Sequence, residues 1–152
     1  MIFIASLLIG VVAGLRAMTA PAVVAWAAWL GWIDLSATWA AFFASGWAVL
    51  AFSIAALGEF VTDQLPTTPS RKTPPQFAAR IASGGLAGAA LGAAAGSWGL
   101  GLGAGIVGAV IGTLLGAEVR GRLAVRFGSD RPAAFLEDAA AVVLAMIAVA
   151  LA

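Results

Sequence analysis

Residues 81–117 read IASGGLAGAALGAAAGSWGLGLGAGIVGAVIGTLLGA, a run without a single charged side chain. A membrane span takes about 20 predominantly apolar residues, so this run is too long for one span. Its natural break is SWGLGLG at 97–103, which leaves two spans. Glycine recurs at every fourth position in each: Gly84, Gly88, Gly92 and Gly96, then Gly108, Gly112 and Gly116. That spacing gathers the glycines on one face of each helix, and small faces let helices approach closely in lipid. Packing of the two spans on each other within one chain is the simpler use of these faces; a subunit interface is the alternative.

The rest of the chain agrees with a lipid solvent. It has 152 residues, 62% of them hydrophobic and only 10% charged, against roughly 25% charged in soluble domains. Mean hydropathy is +1.05. A soluble globule of this size leaves too much surface wet to hide so much apolar area. Apolar segments at 2–24, 39–58 and 133–152 flank the central pair. The expectation is a single domain, 1–152, of all-α class: a polytopic transmembrane helical bundle of about five spans. The first segment contains Arg16 and Pro21. Proline removes a helix donor and clashes with the carbonyl four residues back, so the first helix is expected to be kinked or broken near Pro21.

Composition also excludes. Net charge is +1 with no cysteine and no histidine. No electrostatic case for nucleic acid arises. Disulfide and thiolate chemistry are absent, and so are the usual metal ligand and the usual neutral-pH base. No metal site and no cofactor are expected, and an enzyme is the less favoured class. GLGLGAG at 99–105 is not a dinucleotide loop, because no strand precedes it. The N-terminus lacks the basic start of a signal peptide and reads as a retained first span.

Arg71, Lys72 and Arg80 fall in 59–80, and Arg120, Arg122, Arg126 and Arg131 in 118–132, whereas 33–38 and 97–101 carry no cation. The positive-inside rule puts the two basic loops in the cytoplasm. Five spans then place the N-terminus inside and the C-terminus outside. Trp26, Trp29, Trp32, Trp39 and Trp98 flank the two non-basic loops and Trp47 falls mid-span, a pattern consistent with tryptophan's preference for the interface.

Few polar residues remain to carry chemistry. Arg16 lies about 21 Å into a continuous first helix. An arginine at such depth costs at least about 2.5–3.5 kcal/mol, so it must face protein, water or an anion. Glu59 and Asp63 sit one turn apart at the end of the second span. They can pair with Arg71, Lys72 or Arg80, or share a proton or cation. Their expected distance from Arg16, about 15 Å along the membrane normal, makes them poor partners for it. Glu137 and Asp138 open the last span and suit a helix N-terminus, with Ser129 or Asp130 as its cap and Pro132 in its first turn. Arg16, Thr19, Glu59, Asp63, Glu137 and Asp138 are the candidate ligand or pathway residues. Arg71, Lys72 and Arg120 are the candidate contacts to lipid phosphate. Pro66, Pro69, Pro74 and Pro75 make a stiff connector between them.

GLRAMTAP at 14–21, the pattern E-x-x-x-D-x-L-P at 59–66, TPSR followed by PPQFAARIASGGLAGAALG, and the acid pair at 137–138 together resemble a bacterial integral-membrane family classified only as a domain of unknown function. The resemblance covers roughly residues 5–140. It implies a small multi-span protein of the inner membrane and no particular activity, substrate or catalytic residue. With lipids and a second copy of the chain as the expected partners, an oligomeric transporter or channel for a small solute or ion is the leading expectation. A structural or accessory membrane protein is the alternative, and a lipid-headgroup enzyme is third.

Overall fold

The computed structural model describes residues 1–63 and 71–152. These form α1 (Ile2–Leu15), α2 (Thr19–Trp29), a 3-10 helix (Trp39–Ala44), α3 (Gly46–Thr62), α4 (Pro74–Ala94), α5 (Trp98–Phe127) and α6 (Asp130–Ala150). No strand occurs among the described residues. Local chemistry sets the boundaries. The Ser45 hydroxyl accepts from the Ala48 N–H at 3.2 Å and starts α3. Pro74 and Pro75 open α4, where a missing N–H costs nothing. Gly96 (φ +68°) and Gly128 (φ +67°) end α4 and α5 in the left-handed conformation that favours glycine. α4, α5 and α6 are long and apolar enough to cross a membrane.

α5 is the axis of the bundle, and its glycines are the reason. α1 runs parallel to it: Gly10 lies against Gly105, and Gly14 against Ala109 and Gly112. α4 runs antiparallel on the other side, with Gly84 against Gly105, Gly88 against Gly101 and Gly92 against Ser97. At Gly105 a Cβ would stand 2.1 Å from the carbonyl oxygen of Gly84, and at Gly108 2.1 Å from that of Leu7. No larger residue fits there without moving a helix. The two glycine faces therefore do not simply meet each other. Gly84, Gly88 and Gly92 meet the start of α5, while Gly108, Gly112 and Gly116 receive α1.

The first apolar segment is not one helix. It breaks at residues 16–18 rather than at Pro21, which occupies the first turn of α2, where its absent N–H has no helical partner to lose. α1 ascends beside α5, and α2 descends antiparallel to α3, with Met18 opposite Glu59 and Trp26 opposite Ser53. The pair is a helical hairpin. α1 has 14 residues, about 21 Å of rise, short of a hydrocarbon core of about 30 Å. This corrects the expected separation of the termini. Met1 lies at the Ser97 end of α5, and α6 folds back from Asp138 along α1, so both termini lie at one end of the bundle. Two further expectations change. Residues 118–127 are the last turns of α5, not loop, since arginine and glutamate are good helix formers. Trp47 begins α3 and so joins the other tryptophans at the far end. Of the expected proline connector, Pro66 and Pro69 lie outside the described residues.

Candidate functional site

At Arg16 the chain leaves the helix (φ −140°, ψ 106°). The break exposes the last carbonyls of α1 and the first N–H groups of α2, which are costly to bury unpaired. Neighbouring helices answer both. Arg80 of α4 donates to the Gly14 and Leu15 carbonyls at 3.1 and 2.8 Å. Glu59 of α3 accepts from the Ala17 and Met18 N–H groups, each at 2.8 Å. A cation thus caps the negative end of one helix dipole and an anion the positive end of the next. The Ser83 hydroxyl, one turn along from Arg80, donates to the Ala17 carbonyl.

Arg16 itself is wholly buried and points between α3 and α6. Its Nη1 donates to Asp63 Oδ2 at 2.5 Å and its Nε to Asp138 Oδ1 at 2.6 Å, and Nη2 also contacts Asp138. The guanidinium carbon lies 5.1 Å from the centre of the Phe60 ring, a cation–π distance. Arg80 Nη2 adds contacts of 3.5 Å to Glu59 and 4.0 Å to Asp63. The three acids are mostly buried, with side chains 12–15% exposed.

A second group lies above the first. Glu137 accepts from Arg71, by Nη1 and by Nη2 at 3.0 Å, and from Arg120 Nη1 at 3.3 Å. Arg120 also holds Asp130 through Nε at 3.0 Å and Nη2 at 2.6 Å. Its Nη2 lies 3.4 Å from the Asp63 carbonyl, which ties the two groups together.

Glu59, Asp63, Glu137 and Asp138 gather at one end of the bundle. The expectation that these acids are out of reach of Arg16 is overturned. It rested on a first helix running continuously from the basic end, whereas α1 climbs from the opposite end and delivers Arg16 to the acids. Glu137 and Asp138 do not serve the start of α6 either. They lie two turns inside it, and the Ser129 side chain makes no capping bond. Thr19 is buried beside the break, and its hydroxyl has no hydrogen-bond partner among the described residues. Arg71 and Arg120, read as phosphate contacts, have their guanidinium groups on Glu137; Lys72 lies in the turn before α4. Phe60, Ser83 and Asp130 were missed as participants, and Arg80 was read only as a salt-bridge cation. The spacing of Arg80 and Ser83 on one helix face was the available signal. Among the described residues no cluster of three or more acids is arranged to hold a metal ion.

A groove of about 300 Å³ runs between α1, α5 and α6, lined by Val11, Leu15, Leu115 and Leu136, with Arg120 and Glu137 at its charged end. Of the ion-pair residues, the groove is lined by Arg120 and Glu137 of the outer group and by none of the inner group.

An all-helical bundle with three helices long and apolar enough to cross a membrane, large apolar side chains exposed along α5 and α6, and Arg16 and Arg80 paired in its interior has the character of a small helical membrane protein. The family model described as domain of unknown function (DUF4126) matches residues 3–152, and the chain belongs to that family. No curated protein and no solved structure matches it.

Proposed function

We propose that the protein is a transporter or channel for a small solute or ion, in the conformation closed at its charged end. One observation carries the reading. Arg16, Arg80, Asp63 and Asp138, contributed by the α1–α2 break, α4, the end of α3 and α6, meet at the tip of a short helical hairpin. Buried ion pairs seldom stabilise more than apolar packing of the same volume would. Ionisable groups inside membrane helices mark ion or substrate pathways by default. Broken helices at membrane depth line such pathways in transporters.

The basic end faces the cytoplasm under the positive-inside rule, in a bacterial inner membrane. Both termini then lie on the outer side, which replaces the N-inside arrangement. α1 and α2 form a short hairpin beside the longer helices α4, α5 and α6. A pathway through so small a bundle runs between copies, so a homo-oligomer is part of the reading. Arg71, Lys72 and Arg120 border the cytoplasmic headgroups, where anionic lipid phosphate is the fitting contact.

The test is flux in proteoliposomes under imposed gradients of protons, sodium, potassium and chloride. Flux above that of empty vesicles, altered by Arg16→Ala in a folded protein, supports transport. A second reading, that the protein is a structural or accessory one, is favoured by the complete burial of Arg16. It predicts no flux of any of these ions and a loss of stability alone.

A further inference from the structure

The charges of the two groups do not match. The outer group holds two cations, Arg71 and Arg120, and two acids, Asp130 and Glu137. The inner group holds two cations, Arg16 and Arg80, but three acids, Glu59, Asp63 and Asp138. Residues 64–70 contain no Asp, Glu, Lys or Arg, so no charge from that stretch alters the count. The helix ends do not correct it, because Arg80 and Glu59 cap ends of opposite sign at the same break. A lone ionised carboxylate in a low-dielectric interior is costly, and such groups neutralise instead. A further donor, Arg80 Nε, is buried in the same group with no acceptor among the described residues.

We infer that the inner group is a proton-binding site and that Asp138 carries the proton. The three acids are not equivalent. Glu59 accepts two backbone N–H bonds at the start of α2 and lies beside Arg80. Asp63 has Arg16 at 2.5 Å and Arg80 at 4.0 Å. Asp138 has only Arg16, whose charge it shares with Asp63. The other groups acting on it are Arg120 from α5 and Glu137 from its own helix, and Arg120 is engaged by Asp130 and Glu137. The binding step adds one proton from water to the Asp138 carboxylate, forms one O–H bond and breaks none. The acid side chain is 15% exposed. A protonated Asp138 still accepts from Arg16 but no longer attracts it as an anion, which loosens the hold of α6 on the hairpin tip. This inference rests on the transport reading for its use: the proton is the coupling or gating ion of the same site. As a binding site it stands separately.

The test is infrared spectroscopy of the purified full chain in nanodiscs at neutral pH, with the proton as the only ligand. The expected result is a carbonyl band from a buried protonated carboxylic acid. The band shifts in heavy water, moves in Asp138→Glu and stays in place in Asp63→Glu. Asp138→Asn removes it. Glu59→Gln also removes it, because two acids on two arginines no longer require the proton. Absence of the band in the wild-type protein overturns the inference, and so does a band unmoved by Asp138→Glu. Should Asp138→Asn fail to fold, the Asp138→Glu arm still decides. Flux assays do not enter this readout. A band without flux defeats the transport reading alone, and flux without a band defeats the proton site alone.

Discussion

The two ends of the bundle are built on opposite principles. At the tryptophan end, helices meet through backbone. Gly88, Gly92, Gly101 and Gly105 bring α4 and α5 so close that an added methyl group would collide with a main-chain atom. Asp34 is the only charged side chain in the connection there. The Ser36 hydroxyl, and then its N–H, hold the Asp34 carboxyl below the usual carboxylate range. At the other end helices meet through long charged side chains, and the backbone is broken to make room for them. The first kind of contact specifies where helices lie. The second has alternative pairings available to it and can rearrange.

That contrast can be broken in graded ways. The largest effect is expected for Gly105→Leu, which collides with the Gly84 carbonyl and the Gly88 backbone on α4. Size-exclusion chromatography in detergent should show aggregate, while Gly103→Leu, with open space around it, elutes as wild type. Matching profiles would mean that the backbone contacts do not organise the fold. Next is Arg16→Ala, which leaves Asp63 and Asp138 facing each other. Removing one partner of a buried pair costs about 3–5 kcal/mol, read as a lowered midpoint of thermal unfolding. A wild-type midpoint would show that the charged end adds nothing to stability. Ser83→Ala removes a single hydroxyl from the Ala17 carbonyl, with a cost of about 1 kcal/mol. Smallest is Arg122→Ala on the outer turns of α5, where the Glu118 pair is exposed at 2.9 Å. Exposed pairs contribute less than about 1 kcal/mol, and a shift as large as that of Ser83→Ala would contradict that ordering.

Much of this was legible in the chain. The uncharged run at 81–117 and its break became α4 and α5 because helix length and apolarity are local properties. The placing of Glu59 and Asp63 on one helix face was legible for the same reason, but their meeting with Glu137 and Asp138 is a tertiary contact that no local pattern shows. The direction of α1 was not. A segment of 23 apolar residues satisfies the length rule for one span, and nothing local distinguishes it from two half-length helices turning back on themselves. The turn is stabilised by Glu59 and Arg80, each more than forty positions away. Once the direction of α1 is inverted, so are the partners of Arg16 and the side of the first residue. The reading of Glu137 and Asp138 as acids of a helix start failed similarly: they lie inside α6 and point to different neighbours, one to the outer arginines and one to Arg16.

The hairpin also sets a schedule for synthesis. Arg16 reaches Asp63 after 47 further residues, but Asp138 lies 122 residues downstream. At about 5–20 residues per second, the arginine waits roughly 6 to 24 s after its own addition before that acid exists. α1 likewise lacks its glycine-lined seat until α5 is made. The emerging chain therefore has to keep a charged, half-length hairpin out of lipid, or shelter it beside the insertion machinery, until nearly all the protein has been translated.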